Sequence, residues 1–350
     1  MKACIAILAL MATGCPGASQ RIVHAPDDDR TKISTGTLEA PGEKEDSEPP
    51  SVEVAAAPPP ARKTVASAKE KRAPARMGER IAGIERSDDE REGLIAPRLV
   101  AARSALGAGD LERAISEARR ALDLQTDHLG ALTLLAEAYY RKGWYPKALR
   151  MLRQGTTYAG ASDDARLWML LGLVLDRTEA PLAERMAAYE RATKIKPNYS
   201  KAWNNLGVVH LHLQQYTGAI AALETAVSID PDSAAAFINL ATAYRRQAFE
   251  AQTAAGKRTE LLRKAERGYR TAIALDEDQA AGYLDLGLLY LDTDTFPGMS
   301  PEQRLQAAVR YLREYKQRRS GASGGPDVDA YLQAAQRQLD GRQRQTRGKK

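Results

Sequence analysis

From about Ala165 to Ala308 one arrangement of large and small apolar residues returns at a single register, and this periodicity constrains the fold more than any other feature of the chain. The clearest copy is Ser200–Ser233, SKAWNNLGVVHLHLQQYTGAIAALETAVSIDPDS. Its apolar residues fall at helical spacing in two segments, Ala202–Leu213 and Thr217–Ile229. They are broken near Gln214-Gln215 and stopped at Asp230-Pro231. The small residues Gly207, Ala219 and Ala226 permit two helices to approach closely, while Trp203 and Leu206 are large enough to fill the space against a neighbouring copy. A helix pair of this size cannot bury its apolar face alone, so the copies must stack.

This unit resembles the tetratricopeptide repeat (TPR), with Trp203, Leu206, Gly207, Ala219, Leu223, Ala226 and Pro231 at the family's positions. Upstream, residues 165–199 carry Trp168, Leu171-Gly172, Tyr189, Ala192 and Pro197, and residues 129–162 carry Leu132, Leu135-Ala136, Tyr139, Gly143, Ala148 and Leu152. Residues 95–128 keep Gly109-Asp110, Ala114, Ala121 and Leu122 but lack the early aromatic. Downstream, residues 234–279 (Phe237, Leu240-Ala241, Tyr244, Ala265, Tyr269, Ala272) and 280–320 (Tyr283, Leu286-Gly287, Tyr290, Ala308, Leu312) each hold an insertion between their helices. Residues 327–339, with Val328, Tyr331, Leu332, Ala335 and Leu339, read as a capping helix, and 341–350 as a frayed basic tail. The resemblance implies an all-α, right-handed TPR solenoid over residues 95–340, of about six helix-turn-helix repeats plus a C-terminal capping helix.

The first third of the chain differs in kind. Met1–Gly14 has one lysine, a short apolar run and Ala12-Thr13-Gly14 directly before Cys15. The run is too short to span a bilayer and reads as a signal peptide of residues 1–14. Small residues before a cysteine resemble a bacterial lipobox, which implies cleavage before Cys15, its diacylation, and, with Pro rather than Asp at position 16, delivery to the outer membrane facing the periplasm. Residues 15–94 hold many of the prolines and the charge runs Asp27-Asp28-Asp29 and Glu43-Lys44-Glu45-Asp46, so they bury too little apolar surface to fold and read as a disordered tether. As a coil it spans on the order of 50 Å. A net charge of +6 spread over 51 basic and 45 acidic residues does not point to nucleic acid.

Chemistry-bearing constellations are scarce. Cys4 and Cys15 are the only cysteines, so the repeats contain no thiol, and His210 and His212, two apart on a helix, diverge rather than converge on a metal. No phosphate loop or nucleophile elbow is present, and Asp88-Asp89-Glu90 and Asp163-Asp164 read as turn and tether charges. The expectation is a protein with no catalytic residues, cofactor, metal or small-molecule substrate.

The TPR resemblance implies instead that first-helix residues line a groove for an extended peptide or partner helix. Asn205 and Asn239 occupy equivalent positions in successive repeats and Asp285 the same place in the next; Glu137, Arg141, Asn204, His212, Thr242, Arg245 and Arg246 share that face by helical offset. An asparagine there can pair with both the N–H and C=O of a guest backbone, or it can bond within the solenoid. The chain is similar to lipid-anchored TPR proteins of pilus assembly and of myxobacterial gliding motility. This implies a scaffold for an envelope machine, with other envelope proteins as partners; a recruiter of peptidoglycan synthesis or hydrolysis enzymes is the alternative.

Overall fold

The computed structural model describes residues 87–158, 163–250, 254–319 and 328–347. These form thirteen α-helices and, among the described residues, no strand. The helices are α1 (Asp88–Gly107), α2 (Leu111–Leu124), α3 (Leu129–Arg141), α4 (Tyr145–Thr156), α5 (Ala165–Arg177), α6 (Leu182–Ile195) and α7 (Ser200–His212). They continue as α8 (Tyr216–Ile229), α9 (Ala234–Phe249), α10 (Ala255–Leu275), α11 (Ala280–Asp292), α12 (Pro301–Arg318) and α13 (Val328–Arg347).

Local chemistry sets the ends of these helices. Ser87 and Glu90 form a reciprocal capping box at the start of α1, and Ser300 and Gln303 form another at α12. Asp110, Asp164 and Ser233 accept bonds from the first turns of α2, α5 and α9. Between the helices of a pair the chain reverses through a left-handed residue: Gly109 (φ 76°), Gly143 (φ 78°), Glu179 (φ 52°) and Gln214 (φ 58°). Glycine suits that conformation and the two side-chain-bearing residues do not.

Each helix packs on its two neighbours in sequence. In addition α1 touches α3, α3 touches α5, α7 touches α9 and α9 touches α11, whereas second helices make no comparable contact with one another. First helices are therefore drawn together on the inside of the stack and second helices are splayed on the outside, which gives the structure a concave wall. Within a pair the approach is close. A Cβ on Gly172 would overlap the Tyr189 ring, and one on Gly207 would overlap Leu223. Tyr189, Tyr269, Tyr290 and Tyr315 are the largest side chains wholly buried between helices.

Two boundaries differ from those read in the sequence. α1 starts at Asp88, inside the span assigned to the tether, and Asp88, Asp89 and Glu90 form its acidic first turn, where they complement the helix dipole. Asp164 likewise caps a helix. At the other end α13 continues through Gly341 to Arg347, so most of the expected tail is helical, as its Gln and Arg residues favour. Signal peptide, Cys15 and the tether up to residue 86 lie outside the described residues.

The insertions take different forms. The first lengthens α10 to 21 residues against 14 in α8. The second leaves a loop, Thr293–Ser300, anchored by Phe296, whose ring lies 5.1 Å from that of Tyr290. Arg304 closes this loop from below: buried at the start of α12, it donates to the carbonyls of Tyr290 and Leu291 at the end of α11.

Candidate functional site

The concave wall carries a discontinuous line of polar side chains, most of them supplied by first helices. At its N-terminal end Glu137 on α3 is buried and accepts from Arg141 one turn later at 2.7 Å and from Arg166 at the start of α5. Arg141 also donates to the Leu106 carbonyl at the end of α1 at 2.9 Å. One carboxylate thus ties two repeats together, and its arginines satisfy a helix end; a buried acid in such a place requires this pairing.

Further along, the Tyr189 hydroxyl donates to Asp176, which also lies 3.7 Å from Arg185. Burial, and then the Asp176 charge, push the Tyr189 hydroxyl well above the ordinary tyrosine value. Beside it Arg177 bonds to Tyr140, and that bond holds its guanidinium above the usual value.

Asparagines occupy the middle. Asn204 donates to Asn205 at 3.1 Å, and Asn239 on α9 donates to Asn204 on α7 at 2.9 Å. All three are buried, and Asn205 also reaches Tyr189. Of the two readings open from the sequence, bonding within the solenoid is the arrangement seen: these amides join repeats and form the floor of the wall instead of projecting into it. This corrects their placement as open groove-lining groups. The physical reason is that a buried amide must find a partner, and here the neighbouring amides and Tyr189 supply it.

At the C-terminal end Thr242 bonds the Tyr269 hydroxyl at 3.0 Å, and Arg245 lies 3.5 Å from Asp292. Burial lowers the affinity of Arg245 for its proton, but Tyr269, Asp285 and Asp292 outweigh it and the guanidinium is held above its usual value. Burial raises the Asp292 carboxyl above the usual range against the pull of Arg245, Arg246 and Arg304. Arg245 is thus buried and ion-paired.

Among the residues expected to line a groove, Arg141, His212, Thr242 and Asp285 are half-buried and Arg246 is exposed. Glu137, Asn204, Asn205, Asn239 and Arg245 are buried beneath them. The structure adds Tyr140, Arg166, Asp176, Arg177 and Asp292 to the same face. Arg177 was legible by register, since it holds in α5 the place that Arg141, His212 and Arg246 hold in α3, α7 and α9. Arg166 and Arg177 are cations at the surface of the wall, whereas the carboxylates Glu137 and Asp176 are sunk within it. His210 fills only part of the position taken by Tyr244 and Tyr290 and is held by Gln215 at 2.8 Å. Among the described residues no three His, Cys, Asp or Glu side chains gather to hold a metal, and no helix is long and apolar enough to cross a membrane.

Comparison with known proteins agrees with this architecture. Residues 105–174 and 200–233 match models of the tetratricopeptide repeat. The chain is 32% identical over 107 residues to the tetratricopeptide repeat domain-containing protein PYG7, chloroplastic, of Arabidopsis thaliana, covering 30% of this chain and 33% of that protein. It is 32% identical over 80 residues to the peroxisomal targeting signal receptor of Saccharomyces cerevisiae, covering 23% of this chain and 13% of the receptor. It therefore spans a minor part of either relative. Among solved structures, pilF of Pseudomonas aeruginosa superposes with a TM-score of 0.54 at 17% identity, over 71% of this chain and 98% of pilF. The APC/C hetero-tetramer Cut9–Hcn1 gives 0.52 at 14% identity, over 69% of this chain and 42% of that one. Residues 105–174 and 200–233 are tetratricopeptide repeats, and the described helices form an all-helical tetratricopeptide-repeat solenoid, a fold that typically serves protein interaction and not catalysis.

Proposed function

We propose that this chain is a non-catalytic scaffold, held at the outer membrane by acyl chains on Cys15, whose concave wall receives an extended segment of another envelope protein. The observation that carries this reading is the pre-assembled state of the wall. Asn239 to Asn204, Glu137 to Arg166 and Arg245 to Asp292 each join successive repeats, so the surface is ordered before a guest arrives and little further ordering cost falls on binding. Half-buried Arg141, His212, Thr242 and Asp285, with exposed Arg177 and Arg246, offer the guest donors and acceptors.

The tether and anchor rest on the residues around Cys15 and on the proline- and charge-rich stretch that follows. Assembly of a motility or pilus/secretin machine is the context that the sequence resemblance favours. Crosslinking in intact cells, followed by capture of the tagged chain, tests the reading. Motility or secretin components support it; peptidoglycan enzymes would replace the machine by a wall-enzyme role. Arg177→Glu with Arg246→Glu is expected to abolish capture while the chain still unfolds cooperatively with only a modest fall in melting temperature, and undiminished capture would dismiss the concave wall as the binding surface. Cys15→Ala is expected to leave the outer-membrane fraction, and a variant still found there would dismiss the anchor.

A further inference from the structure

The two ends of the solenoid are finished differently. At the C-terminal end α13 lies on α12 and buries Ala335 and Leu339 against it. At the other end α1 packs on α2 and α3 with one side, and among the described residues nothing covers the opposite side. That side carries Gly93, Ala96, Pro97, Val100 and Ser104, all exposed, a strip of small or apolar uncharged residues at helical spacing. Val100 is 65% exposed and Leu94, on its flank, 43%; they are the two most exposed large apolar side chains described. A methyl added at Gly93 would meet open space, so the strip leaves room for a guest side chain two helical turns below Val100.

We propose that this face of α1 binds the same face of a second copy of the chain, with the two α1 helices antiparallel about a twofold axis near Pro97. Charge selects this occupant and this register. Glu92, whose carboxylate lies 3.7 Å from His128 of its own subunit yet is largely exposed, and Arg103, also exposed, stand eleven residues apart and therefore share one flank of the helix about three turns from each other. In an antiparallel pair centred near Pro97, Arg103 stands opposite Glu92 of the partner subunit, and the twofold repeats the pair. The same register lays Leu94 against Ala101 of the partner subunit and seats Val100 over the space between Gly93 and Ala96 of the partner subunit. The acidic first turn, Asp88 to Glu90, then lies beside the C-terminal end of the opposing helix, which carries no basic residue of its own in its last turn. Arg98 is engaged with Glu117 at 3.2 Å within its own subunit and leaves the interface uncluttered.

Sedimentation velocity of the full chain tests the inference. A concentration-dependent dimer is expected, weakened by about tenfold or more by Val100→Arg at the centre of the interface. Arg103→Glu alone is expected to weaken it, and Arg103→Glu combined with Glu92→Arg to restore it; rescue of this kind does not follow from a folding defect. A chain that stays monomeric at high micromolar concentration, including one whose α1 face is covered by its own upstream residues, would overturn the proposal. So would a dimer indifferent to Val100→Arg, or a double variant no better than Arg103→Glu.

Discussion

Glu179 and Gln214 stand where Gly109 and Gly143 stand in the two preceding repeats, each in the left-handed region. A side chain in that region costs on the order of 1 kcal/mol relative to glycine. Gln214→Gly is therefore expected to raise stability by up to about 1 kcal/mol, read as a higher urea midpoint at unchanged slope. Asn239 gives the opposite expectation. Asn239→Ala removes the bond that its buried amide donates to the Asn204 side-chain oxygen and should lower stability by about 1–3 kcal/mol. An amide that served only as a guest contact would cost almost nothing to remove from the free protein, so chemical denaturation of the unliganded chain separates the two roles.

At the scale of helices, close approach within a pair depends on residues with no side chain. Gly207→Ala places a methyl against Leu223 at the crossing of α7 and α8 and is expected to cost about 1–3 kcal/mol, measured by thermal or urea unfolding. It is at this scale that the sequence was most readable. Gly207, Ala219 and Ala226 recur in register because every repeat solves the same packing problem, so pairing and order followed from one unit. What escaped was whatever the apolar period does not record. The start of α1 is marked by Ser87, Glu90 and the acids between them, a capping signal lying ahead of the first periodic residue. The end of α13 is built from Gln and Arg, good helix formers without an apolar face. For the wall, register placed Asn205 and Asn239 on the inner side but could not distinguish its surface from its floor, because that depends on how far the next first helix overhangs. The insertions were legible in form as well as length, the first as added helix and the second, from its Pro and Gly residues, as a loop; what the sequence did not show is that Phe296 and Arg304 pin that loop.

For the molecule as a whole, the buried tyrosines govern alkaline stability. The hydroxyls of Tyr189, Tyr244, Tyr269 and Tyr290 are all held above the ordinary tyrosine value, each chiefly by burial. The folded state keeps protons that the unfolded chain sheds above about pH 10, so their contribution is intact below that pH and is lost as pH rises further. The urea midpoint is expected to fall from about pH 10 upward. Tyr189→Phe should flatten that decline, and an unchanged alkaline slope would show that this hydroxyl has no part in it.

Contacts that reach only adjacent helices, apart from those along the inner wall, also decide how the protein would respond to being pulled. Among the described residues there is no sheet or central core for tension to break at once. Tension between its ends would peel off one helical hairpin after another, each 34-residue unit releasing on the order of 100 Å of chain. An extensible element of this kind yields in small reversible steps and can take up slack between two bodies that drift apart.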